Sequence, residues 1–156
     1  MMSARLKRLL ERKIDEYNQP FFINSDPISI PHLFKKKQDI EIAAFFAAIF
    51  SWGNRITIIN KSKELADLMK NAPYEFILSH SRSDLKALKN FRHRTFTYDD
   101  LLYFIDFLKR HYLKHQSLET AFFPAKNFSV EQGLNYFRQY FFSAAHLKRT
   151  EKDISC

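Results

Sequence analysis

Apolar residues recur with the period of an α-helix along most of the chain, and the interruptions are proline- and asparagine-bearing stretches. Residues 3–17 predict an amphipathic helix with Ser3 as N-cap, Leu6, Leu10, Ile14 and Tyr17 on one face, and Arg5, Arg8, Arg12 and Lys13 on the other. Residues 18–31 carry Pro20, Pro27 and Pro31 beside Asn24, Ser25 and Asp26, which predicts an irregular connection. The most apolar segment begins at Ile40. Its bulky residues Ile42, Phe45, Phe46, Ile49 and Phe50 fall on one side of a helix, and Ala43, Ala44, Ala47 and Ala48 on the other. Such a helix has to be covered on most sides, and its alanine stripe lets a neighbour approach closely, so it is the expected centre of the fold.

The central helix should end at a sharp turn, Ser51-Trp52-Gly53-Asn54, and a second helix should follow from about Arg55 to Lys70 with Ile58, Ser62, Leu65 and Met69 as its face. Asn71-Ala72-Pro73 reads as a stop and restart, with a short helix over Pro73–Ser79 and another over Ser83–Lys89. Phe91-Arg92-His93-Arg94-Thr95-Phe96 is irregular, and its two phenylalanines are expected to anchor it. Thr97 with Asp100 resembles a capping box and predicts a helix to about Lys114, with Leu101, Ile105, Leu108 and Tyr112 inward. A linker around Pro124–Asn127 leads to Ser129, the expected N-cap of a last helix over Val130–Leu147, which has Val130, Leu134, Phe137 and Phe141 at core spacing. The chain then runs into a polar tail.

Composition narrows this picture to one domain. The 156 residues, 46% of them hydrophobic, supply one real core and too little for two. Two glycines and five prolines leave little room for the tight turns of an all-β sandwich, and no phosphate-cradling glycine-rich loop is present. The expected fold is therefore all-α, a single helical-bundle domain spanning residues 1–156.

Charge adds a class of partner. A formal net charge of +8 and a pI near 9.6 favour polyanions, most simply nucleic acid. Arg92, His93 and Arg94 form the densest cation site in the middle of the chain, and Lys35-Lys36-Lys37 stands just before the central helix, where it gains nothing from the helix dipole. The single cysteine, Cys156, excludes an intramolecular disulfide and lacks a placed histidine partner. The N-terminus lacks the apolar core of a signal peptide, and the run after Ile40 is shorter than the roughly 20 residues a bilayer span needs, so a soluble, cytoplasmic protein without a membrane partner is expected.

No catalytic constellation is visible, and neither a cofactor nor a metal is expected. His111 and His115 are four apart, as a metal pair would be, but no carboxylate at ligand spacing completes a site, and they read as a plain surface pair. Asp99 and Asp100 diverge by about 100° on a helix, and Asp100 is accounted for as a cap. Most of the 17 phenylalanines fit core stripes. Trp52, in a turn, does not. Tyr136, Tyr140 and Phe142 give the last helix more aromatic surface than one stripe buries, which points to a homodimer mate or a missing C-terminal segment.

Three stretches carry a resemblance: D-I-E-I-A-A-F-F-A-A-I-F-S-W-G-N-R from Asp39 to Arg55, N-A-P-Y-E-F-I from Asn71 to Ile77, and F-R-H-R-T-F from Phe91 to Phe96. They resemble an uncharacterised bacterial family of conserved hypothetical proteins containing a domain of unknown function. More distantly, the layout is similar to the N-terminal half of helix-hairpin-helix DNA glycosylases of the endonuclease III type. That resemblance implies that Ser51–Arg55 is a loop that probes DNA, with Trp52 as a wedge in the base stack and Arg55 on phosphate. The glycosylase hairpin, catalytic lysine and catalytic aspartate have no counterpart before Cys156. The resemblance therefore implies an N-terminal fragment or truncated member, whose full-length parent is the place to look for an enzyme.

The leading expectation is a nucleic-acid-binding helical domain with contacts from Trp52, Asn54 and Arg55, and phosphate binding from Arg92, His93, Arg94 and Lys35–Lys37. The alternative is an interaction or scaffold domain that uses Tyr136, Tyr140 and Phe142.

Overall fold

Helix α3 (Lys37–Ile49) runs through the middle of the protein in a computed structural model that describes residues 4–154. The Ser3 cap and Cys156 lie outside those residues. Before it come α1 (Ala4–Tyr17), α2 (Pro20–Ile23) and two 3-10 turns, Pro27–Ser29 and Pro31–Leu33. After it come α4 (Arg55–Leu68), α5 (Pro73–Ser79), α6 (Arg82–Ala87), α7 (Tyr98–Tyr112), α8 (Glu119–Phe122), α9 (Val130–Phe141) and a 3-10 helix over Lys148–Asp153. The chain is all-α. Among the described residues the only β-type pairing is the isolated bridge between His93 and Phe96.

The bulky side of α3 is the core. Phe45 and Phe46 stack against Phe104 of α7, with ring centroids 5.7 and 6.1 Å apart, and Phe104 meets Phe141 of α9 at 4.8 Å. Edge-to-face and offset geometries recur through this cluster, as expected where quadrupoles steer large apolar rings. The alanine side is covered by a different neighbour. Ala43 and Ala47 pack with buried Ile30, so the two proline-led 3-10 turns approach α3 where its side chains are smallest, while Ala44 and Ala48 stay exposed. The connection over residues 18–31 is thus short helical turns, each with proline in its first turn, where a missing N–H leaves no bond unmade.

Two polar networks fix the other helices around α3. Glu41, on α3, accepts hydrogen bonds from the Tyr112 hydroxyl (2.9 Å), the Ser117 hydroxyl (2.6 Å) and the Leu118 amide (2.9 Å), tying α3 to the end of α7 and the start of α8. Asp100 completes the capping box with Thr97 and is fully buried, and it also accepts from the Thr150 hydroxyl at 2.8 Å. Burial pushes the Asp100 carboxyl up, but the hydrogen bonds from Thr97 and Thr150 and the charge of Arg149 outweigh it and hold the group below the usual carboxylate range. Glycine has one structural task in α9. A Cβ on Gly133 would stand 2.7 Å from a Phe123 ring carbon and 3.1 Å from the Phe122 carbonyl, so only glycine lets α8 lie so close that Phe122 stacks on Phe137 at 4.1 Å.

Several expectations are corrected. Val130 and Leu134 are not core positions but are 70% and 47% exposed, because the edge of α9 that meets the ring cluster is the one carrying Phe137 and Phe141. The apolar face of α1 is not covered: Leu10 and Ile14 are 46% and 59% exposed, and no residue of that helix is buried. Helix α9 stops at Phe141, because the chain turns there to bring its tail back over the start of α7. The polar tail is part of the fold, since Thr150 is buried and Arg149 donates to Thr97 and Asp99. His111 is not a surface residue.

The His111 ring is fully buried, with Nε2 donating to the Ser117 carbonyl at 2.9 Å and Nδ1 within 3.2 Å of the Tyr140 hydroxyl. The chain reverses just after α7 and presents that carbonyl to the ring, a contact that helical spacing does not reveal. Burial lowers the His111 pKa below the ordinary imidazole value, and burial does the same to His93. Both histidines therefore take up a proton less readily in the folded protein than in the unfolded chain, whose imidazoles protonate below about pH 6.5. Stability is expected to fall as pH drops below that value, by up to about 1.4 kcal/mol per pH unit for each histidine. His146, raised chiefly by its contact with the Ala144 carbonyl, works in the opposite direction. Urea unfolding of the His146→Asn variant between pH 7.5 and 5 removes that opposing contribution, and a flat profile would contradict the lowered pKa values of His93 and His111.

Candidate nucleic-acid interface

Burial of Phe50 at the end of α3 fixes where the chain emerges into the Ser51–Asn54 turn. The Ser51 hydroxyl donates back to the Ala47 carbonyl at 2.8 Å, which closes the helix end. Gly53 has φ +119°, a conformation that side chains resist, so the glycine is what makes the reversal sharp. Asn54 then caps α4 by accepting from the Ile56 amide at 2.9 Å. This leaves the Trp52 ring outside, 62% exposed, at the crest of a turn held from both ends.

The Phe91–Phe96 segment lies beside this turn. Backbone bonds from His93 to Phe96 (3.0 Å) and from Phe96 to His93 (2.9 Å) make a two-residue hairpin with Arg94 and Thr95 at its tip, and Arg94 takes φ +53° there. Phe91 and Phe96 are buried, as anchors should be. His93 is an anchor as well. Its ring is 5% exposed and Nε2 donates to the Phe50 carbonyl at 3.0 Å. Burial pushes its pKa down, against the pull of the Phe50 and Trp52 carbonyls, and the Arg94 charge adds to the lowering. It is therefore a neutral post that ties the hairpin to the end of α3. Arg94 makes the second tie, with Nη1 3.4 Å from the Trp52 carbonyl.

The fold thus brings Trp52 and Arg94 together from stretches some forty residues apart in sequence, with Asn54 and Arg92 on the same two segments. Arg92 and Arg94 are exposed, and neither has a carboxylate partner among the described residues. Arg55 is partly engaged, 3.7 Å from Asp26 and over the Phe22 ring at 5.3 Å. Lys35–Lys37 do not join them. They stand at the opposite end of α3, about 20 Å along its axis from the turn. There Lys36 covers the Tyr74 ring at 4.2 Å and Lys37 lies 3.7 Å from Glu41 and 3.9 Å from Glu119.

One cation at this surface is not legible in the sequence. Lys152, in the C-terminal 3-10 helix, donates to the Thr95 carbonyl at 3.2 Å and so stands at the hairpin tip. The tail reads as polar and featureless, and the Asp100–Thr150 contact, with Arg149 on Thr97 and Asp99, puts Lys152 there. The surplus aromatics of α9 are largely used internally. Tyr140 packs on Phe107 at 5.3 Å and its hydroxyl meets His111, while Phe142 packs on Phe141 at 4.9 Å. Tyr136 is half-buried against Phe128 and Tyr140.

Residues 26–155, which include both the turn and the hairpin, match the family described as a protein of unknown function, DUF2400. The chain belongs to that family. No curated protein and no solved structure matches it, so the glycosylase layout finds no support there. The DUF2400 match starts at Asp26, the partner of Arg55, and leaves α1 outside. No helix among the described residues is long and apolar enough to cross a membrane.

Proposed function

We propose that the Ser51–Arg55 turn and the Phe91–Phe96 hairpin bind nucleic acid, with the Trp52 ring stacking on bases and Arg92, Arg94 and Lys152 on phosphates. The observation that carries this is a single exposed indole, held on a turn closed at both ends, beside two arginines with no carboxylate partner among the described residues. An exposed ring of this size is costly to keep in water, and a base face is sequence-tolerant apolar surface that it can cover. The N-terminus of α4 follows directly on the turn, and its positive end adds to the field that phosphates meet there. His93 takes part as a post behind the surface. The reading rests on these residues and assigns no glycosylase chemistry to the chain.

Fluorescence anisotropy with labelled single-stranded and duplex DNA provides the test. Trp52→Ala is expected to weaken single-strand binding by about 1–3 kcal/mol, the usual worth of one stacked base. Arg92→Ala and Arg94→Ala are each expected to weaken binding uniformly across sequences and to reduce the salt slope by about 0.9 on duplex and about 0.7 on single strands. Binding by the wild-type chain that Trp52→Ala leaves untouched would remove the stacking role.

A further inference from the structure

Between the turn and the hairpin lies a half-open pocket of about 240 Å³. Its floor is apolar, made by Ile49 and the buried ring of Phe96, and one wall is the exposed face of Trp52. Thr95 contributes polar surface, and Arg94 and Lys152 stand on the rim. No carboxylate is among the lining residues. Each rim cation gives one donor to a backbone carbonyl, Arg94 to Trp52 and Lys152 to Thr95. A guanidinium has five N–H donors and an ammonium three, so most remain for a ligand.

The chemistry of the lining selects among anions. Inorganic phosphate would use the cations and leave the Ile49 and Trp52 surfaces wet. An aliphatic anion would cover them without the stacking that a flat indole face offers. A planar ring with an attached phosphate uses every wall at once. At roughly 30 Å³ per water, the space holds about eight waters, enough for one base lying on the Trp52 ring.

Resting on the nucleic-acid reading above, we infer that this pocket takes a single unpaired nucleotide, its base on the Trp52 ring above Ile49 and its phosphate between Arg94 and Lys152. The protein then prefers a strand that offers an unpaired nucleotide, as at an end or a gap, over an intact duplex. A free nucleoside monophosphate presents the same chemistry.

Trp52 is the only tryptophan, so its emission reports on the pocket directly. The full chain is titrated with thymidine 5′-monophosphate, thymidine and inorganic phosphate. Saturable quenching by the monophosphate is expected, at least tenfold weaker with either of the other two, and reduced about tenfold in Lys152→Glu, an exposed position whose replacement leaves the core intact. Competition then separates the sources. Displacement of the monophosphate by a 5′-phosphorylated single strand, but not by a blunt duplex, assigns the pocket to strands, and its absence assigns it to free nucleotides. No quenching at millimolar monophosphate while the chain still binds duplex DNA would overturn the pocket and leave the interface standing. Equal quenching by inorganic phosphate would also overturn it, by reducing the site to a plain anion site.

Discussion

Phe104→Ala is expected to destabilise the protein by about 3–5 kcal/mol, the range for emptying a large aromatic site in a packed core. Phe104 has no exposed surface, and its ring lies within 6.1 Å of four others, Phe45, Phe46, Phe96 and Phe141. Those rings come from α3, the hairpin and α9, so the cavity cannot close by moving one neighbour. The melting temperature should drop by roughly 10 °C or more. The contact with Phe96 at 5.1 Å adds a second readout. The hairpin rests on this ring, and Trp52 emission should shift in the variant under conditions where it is still folded. A loss below about 1 kcal/mol would show that the core is not organised around Phe104.

Glu41→Ala is the polar counterpart, with an expected loss of about 3–4 kcal/mol. The carboxylate accepts three hydrogen bonds, and those to charged groups are worth about 1.5–3 kcal/mol each before non-additivity. Removing it leaves the buried Tyr112 hydroxyl and the Leu118 amide without their acceptor. The exposed Lys37 adds at most a few tenths of a kcal/mol, because water screens it. Burial, followed by the neighbouring Glu41 charge, pushes the Tyr112 hydroxyl pKa far up, so this tyrosine stays a donor across the working pH range. Glu41→Gln keeps a carbonyl oxygen but turns an amide donor toward other donors, and roughly half the loss is expected. Equal stability of Glu41→Ala and wild type in urea would mean that the α3–α7–α8 tie is not structural.

The helices are legible in the sequence because apolar residues with period 3.6 and short-range caps decide them locally. The Pro73–Ser79 helix agrees with its expected span to the residue, and the Thr97–Asp100 and Ser129–Gln132 boxes mark the starts of α7 and α9. Helix α6 starts one residue earlier than expected because the box there is Ser81–Asp84. What the sequence does not show depends on contacts that helical period and local caps do not encode, most of them across long stretches of chain. His93 stands between two arginines and looks like a third surface cation, yet the Phe50 carbonyl, 43 residues away, draws it inside. His111 is buried by a carbonyl that arrives only after the chain reverses. Lys152 reaches the hairpin because a buried carboxylate 50 residues before Thr150 accepts from that hydroxyl. In the candidate site, Trp52 and Arg94 are visible as residue types, and their meeting through the Trp52 carbonyl is not. The amphipathic pattern of α1 correctly gives a helix and wrongly implies a covered face, since period alone does not say what covers it.

The turn and hairpin as a nucleic-acid surface are tested most directly by the salt dependence of binding to a single-stranded oligonucleotide, compared between wild type and Arg92→Ala/Arg94→Ala. The wild-type chain should bind at low salt with log Kobs falling linearly in log salt concentration. The double variant should show a slope shallower by about 1.4, near 0.7 for each single-strand phosphate that the two arginines no longer neutralise. No binding at low salt, or the same slope in both proteins, would contradict it.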